Sequence, residues 1–67
     1  PPLVRQYLDA QLGMAEALLL LGKRRDALFW LDAAERKLSQ AVADKRLLGN
    51  DQASLAERIN SLRGKAR

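Results

Sequence analysis

The stretch from Ala17 to Leu38, ALLLLGKRRDALFWLDAAERKL, decides the fold. It opens on the apolar run Leu18-Leu19-Leu20-Leu21, breaks at Gly22, turns basic over Lys23-Arg24-Arg25, and resumes as a helical pattern. In that pattern Ala27, Leu31, Ala34 and Leu38 recur at spacings of four, three and four. Glycine enters the left-handed conformation without a Cβ clash, and cations beyond it complement the negative end of a helix dipole. The spacing therefore predicts two helices that meet at a tight turn around Gly22 and run antiparallel. Small Ala27, Ala34 and Ala41 admit a close neighbour while Leu31 and Leu38 fill the gaps between turns.

Reading outward, Pro2 suits the first turn of a helix, where its missing N–H is not needed. A first helix over residues 3–21 takes its stripe from Val4, Tyr7, Leu8, Ala15, Leu18 and Leu19. Gln11 interrupts that stripe, and Leu12, Met14, Leu20 and Leu21 widen it. The second helix is expected over 24–47, adding Leu28, Ala41 and Val42 to its face. A third, over 51–63, carries Leu55, Ala56, Ile59 and Leu62, with Asn50 or Asp51 as its cap and a fraying tail from Gly64 to Arg67. The expected architecture is an all-α three-helix domain with two long antiparallel helices and a shorter C-terminal one.

Composition agrees with this. Leu and Ala supply 25 of the 67 residues, Thr is absent, and Val4, Val42 and Ile59 are the only β-branched residues. With neither Cys nor His, the chain has no disulfide, no thiolate or imidazole catalyst, and no Cys/His metal site. The longest uncharged apolar run, Ala17 to Leu21, falls far short of the roughly 20 residues that span a bilayer. A start at Pro1-Pro2 without Met reads as a piece of a longer polypeptide. No targeting segment is readable, so localisation is unassigned, with the cytoplasm as the default.

Residues 8–40 resemble one tetratricopeptide (TPR) unit. Ala15 stands at the family's small position in the first helix, Gly22 at the turn, and Ala27 and Ala34 at the small positions of the second helix; Ala17-Leu18 and Leu28 also agree. The chain departs from the pattern at Gln11, where the family has Trp, at Leu31, where it has a large aromatic, and at Ser39, where it closes with Pro. A single repeat cannot bury its own faces, so the resemblance implies that the third helix acts as a cap. Ala27-Leu28 and Ala34 are also similar to the three-helix microtubule-interacting-and-trafficking (MIT) domain. Phe29-Trp30-Leu31 followed by Ala34-Glu35 and Leu38 resembles spectrin-like units. The TPR and MIT families bind helices or peptides of other proteins, and that is the function the resemblance implies.

Chemistry-bearing patterns are sparse. Asp9 follows Arg5 by four residues and Asp32 precedes Arg36 by four, the spacing of ordinary helix-surface ion pairs. No carboxylate pair falls on a buried face, and Gly22-Lys23 and Gly64-Lys65 lack the rest of a phosphate loop. The chain is therefore expected to be non-catalytic, with no cofactor and no metal. The formal charge of +4 makes a small basic nucleic-acid-binding domain the alternative. Its bases Lys23, Arg24, Arg25, Arg36, Lys37, Lys45 and Arg46 are nevertheless interleaved with Asp26, Asp32, Glu35 and Asp44.

More apolar side chains are present than three short helices hide. That excess predicts a protein-interaction or assembly module, an adaptor or scaffold element that takes a partner helix or peptide or self-associates. Phe29 lies nearly opposite the second helix's seam, which is centred on Leu31, and Trp30 on its flank. With Arg25 and Arg36 beside them, they form one candidate surface of the aromatic and arginine types that dominate interfaces. TPR-like use instead places a partner along the first helix, at Asp9, Leu12, Glu16, Leu19 and Leu20.

Overall fold

The computed structural model describes residues 2–67. Three helices follow one another: α1 (Pro2–Leu20), α2 (Arg24–Ala43) and α3 (Gly49–Ala66). They pack into a bundle 34 × 18 × 15 Å across its principal axes, and no strand occurs among the described residues.

The α1–α2 turn forms as its residues predict. Gly22 takes φ +77°, its N–H bonds the carbonyl of Leu19 at 3.0 Å, and the Lys23 N–H bonds that of Leu18 at 2.8 Å. This pair of bonds is a Schellman closure, which satisfies two otherwise orphaned carbonyls of the last turn. The second helix ends four residues before its expected end at 47, and for the same reason. Lys45 adopts φ +58°, its N–H bonds the Val42 carbonyl at 3.1 Å, and the Arg46 N–H bonds that of Ala41 at 2.9 Å. A lysine here occupies a position that favours glycine. The bend turns Leu47 back into the core, where it is buried.

Replacing Lys45 with Gly removes the Cβ penalty at an otherwise unchanged turn. We expect Lys45→Gly to stabilise the fold by about 0.5–1 kcal/mol, raising the melting temperature by about 4 °C in thermal circular dichroism. An unchanged or lower midpoint would show that the left-handed lysine carries no strain.

The third helix is longer than its sequence pattern suggests. It starts at Gly49, two residues early, behind an extended Leu48, and neither Asn50 nor Asp51 caps it with a side chain. Gln52 ties the start of the helix to the preceding turn: its N–H makes the first helical bond, to the Leu48 carbonyl at 3.0 Å, and its Nε2 donates to the Leu47 carbonyl at 3.1 Å. At the other end residues 64–66 are helical rather than frayed, because Ala66 is buried against the bundle. With 18 residues, α3 is barely shorter than α1 and α2, which have 19 and 20.

Leu8 and Leu12 of α1, Leu31 of α2 and Leu55 of α3 are the largest fully buried side chains. Ala15, Ala34 and Ala41 sit among them and keep α1 and α2 close. Several residues expected in the seams lie outside: Tyr7, Leu28, Val42 and Ala56 are exposed, as are Leu20 and Leu21 at the turn. Leu18 and Leu19 are half-buried.

Ion pairs fasten α3 to one side of the hairpin. Arg58 approaches Asp9 at 3.6 Å and Glu16 at 3.7 Å, while Arg5 pairs with both Asp9 and Asp51. On α2, Asp32 pairs with Arg63 at 2.7 Å rather than with Arg36, and Glu35 joins at 3.3 Å. Such partly exposed pairs orient α3 more than they stabilise it.

Candidate interaction groove

With α3 held on one side of the hairpin, the opposite side of α1 and α2 stays open. On a helical wheel, Tyr7 and Met14 lie nearly opposite Asp9 and Glu16, the residues that face α3. Tyr7, Ala10, Gln11 and Met14 of α1 and Trp30 of α2 line an open apolar groove of about 270 Å³. The chain contains one Tyr, one Met and one Trp, and all three are here. Tyr7 is 55% exposed and Met14 47%, while Trp30 is half-buried against the core.

Two further contacts shape the rim. The Lys37 ammonium lies 5.2 Å from the centre of the Tyr7 ring, a cation–π distance. Phe29 stands edge-on to Trp30, ring centres 6.2 Å apart and planes at 88°, so the exposed Phe29 braces the groove's indole from outside. Beyond Lys37 the surface turns polar, in a smaller hollow of about 100 Å³ lined by Val4, Lys37, Gln40, Ala41, Asp44 and Arg46.

One polar group interrupts the apolar floor. Gln11 is only 8% exposed, and its Oε1 accepts no hydrogen bond among the described residues. A buried amide carbonyl without a donor is costly, and it gains when a ligand supplies an N–H. The groove thus offers apolar anchoring sites over a buried acceptor that no donor among the described residues satisfies.

The residues nominated from sequence scatter around this site. Leu12 is fully buried in the core, which removes it from any surface, and Leu19 packs half-buried against the same core. Glu16 is engaged by Arg58 on the α3 side, and Asp9 with it. Leu20, 84% exposed, stands at the turn end of the bundle, and Arg25 and Arg36 are exposed on α2. Trp30 alone among them lines the groove, with Phe29, 64% exposed, beside it. Tyr7, Ala10, Gln11 and Met14 were not nominated. The three-and-four spacing of Tyr7, Ala10 and Met14 is their signal, and it is hidden because the core stripe of α1 runs directly alongside.

The basic residues of α2 and its flanks, Arg36 and Lys37 at mid-helix included, are interleaved with Asp26, Asp32, Glu35 and Asp44. Lys23, Arg24 and Arg25 surround a shallow hollow at the turn. Lys45 and Arg46 lie past the other end of α2, about 30 Å away for 20 helical residues. Among the described residues no cluster of three or more carboxylate, His or Cys groups stands ready for a metal, and no helix is long and apolar enough to cross a membrane. No family model, curated protein or solved structure matches the chain.

Proposed function

We propose that the chain is a non-catalytic protein-interaction module that receives an amphipathic helix along the α1–α2 groove. The convergence of the only Tyr, Met and Trp on one open apolar surface carries this reading. These types are enriched in interface centres and rare on idle surfaces. Helix-in-groove recognition needs apolar anchors on three-and-four spacing, and Tyr7, Ala10 and Met14 supply that spacing. The TPR-like pattern of residues 8–40 supports the same use, since a TPR-like hairpin offers its first helix to a partner. The interleaving of the bases along α2 with Asp26, Asp32, Glu35 and Asp44 supports a nucleic-acid role less well.

Because Trp30 is the sole indole and lines the groove, its fluorescence reports occupancy directly. Amphipathic helical peptides selected from a displayed library against the chain are expected to shift Trp30 emission to the blue. They should lose affinity at least tenfold against Tyr7→Glu, because a carboxylate would then be buried without a partner. Selected peptides that leave Trp30 unmoved and bind Tyr7→Glu equally well would overturn the groove as the site.

A further inference from the structure

The outward side of α1 carries a second apolar stripe, distinct from the seam that faces α2. Leu3, Tyr7, Ala10, Met14, Ala17 and, one residue past the helix end, Leu21 follow at spacings of four, three, four, three and four, and all six are exposed. Alternating steps of three and four form the seam of a helix packed lengthwise on another helix. Neither this stripe nor its outer flank of Gln6, Gly13 and Leu20 contains a charge. All three charges of α1, Arg5, Asp9 and Glu16, take part in the ion pairs around α3.

We propose that the groove's occupant is a second copy of this chain, with α1 lying antiparallel on its twin about a twofold axis that crosses the stripe at the level of residue 12. The proposal rests on the groove reading above and names its partner. Side-chain size carries it. In this register Leu3 meets the partner's Leu21, Tyr7 meets the partner's Ala17, and Met14 meets the partner's Ala10. Each inner layer sets a large residue against a small one, so the surface is its own complement, as an isologous interface requires. A parallel pairing would set Tyr7 on the partner's Tyr7 and Ala10 on the partner's Ala10, bulk on bulk and gap on gap.

Two features at the axis have no account within one copy. The antiparallel register brings Gln11 beside the partner's Gln11, where each Nε2 donates to the other's Oε1 and the orphaned carbonyl is satisfied. It also brings Gly13 beside the partner's Gly13. A mid-helix glycine weakens a helix relative to alanine, and open space surrounds the position its Cβ would take, so nothing in one copy requires it. At the axis, two glycines let the helix backbones approach closely.

Sedimentation equilibrium of the full chain across micromolar to millimolar concentrations is the test, with far-UV circular dichroism checking that each variant stays folded. The wild-type chain is expected to dimerise, with Trp30 emission moving to the red on dilution. Ala10→Lys and Met14→Glu change exposed positions and should each remain helical. Each should weaken self-association about 100-fold, because two charges per dimer are then buried without partners. Mixing the two variants should restore a dimer, because Lys at position 10 of one copy then faces Glu at position 14 of the other while the second layer keeps wild-type residues. A wild-type monomer at all concentrations would overturn the second copy as occupant while leaving the groove open to the selected peptides. A dimer that mixing fails to rescue would overturn the antiparallel register. A dimer indifferent to both substitutions would remove the groove as the contact surface altogether.

Discussion

Leu12→Ala will cost about 3 kcal/mol of folding stability and lower the melting temperature by roughly 15–20 °C. Leu12 is fully buried, on the α1 side that meets both other helices, and it belongs to a cluster with Leu8, Leu31 and Leu55. Truncation removes the transfer free energy of the lost carbons and leaves a cavity that three short helices close only in part. A domain of this length is expected to hold on the order of 5 kcal/mol in total, so the loss takes most of the margin. Chemical denaturation followed by circular dichroism measures the effect. A variant of unchanged stability with lost association would return Leu12 to the binding surface that TPR-like usage assigns it.

Ala34→Leu should destabilise the bundle by about 2–3 kcal/mol, for the opposite reason. Ala34 has no exposed surface and stands in the core between leucines of α1 and α2. Extra carbons there force the two helices apart or drive neighbouring side chains off their rotamers. Spreading the hairpin would also loosen Trp30, one turn earlier on α2, so its emission should move to the red together with the fall in melting temperature. Ala53→Leu, on an exposed position of α3, is the matched control and should change stability by no more than about 0.5 kcal/mol. Equal effects at the two positions would mean that helix spacing is not set by the small residues.

These two substitutions bear on what the amino-acid pattern makes legible. The three helices, the turn at Gly22 and the buried series Ala27, Leu31, Ala34, Leu38 and Ala41 can be read directly, because each obeys a local rule of period or cap geometry. The end of α2 cannot. Lys45 has no glycine-like signature, and its left-handed turn is imposed by the burial of Leu47, a contact only the assembled core supplies. The length of α3 was equally hidden, since Gly64 argues against helix while the burial of Ala66 requires it.

The groove is harder still to read. A helix with two adjacent apolar stripes looks like a helix with one broad stripe until the position of α3 is known. The ion pairs of Arg58 and Arg5 show which side of α1 is covered, and only then do Tyr7 and Met14 stand apart from Leu8 and Leu12. Gln11, an interruption on the wheel, becomes informative once its carbonyl is seen to be buried and without a donor among the described residues.

The gathering of every α1 charge toward Arg58 and Asp51 has a thermodynamic corollary. Whatever settles on the other side of that helix meets no fixed charge on α1 to screen, so ordinary salt should barely loosen its grip on that helix. Attachment there draws chiefly on the release of water from hydrocarbon, which fades in the cold, grows under sulfate and leaves a negative heat-capacity change as its mark.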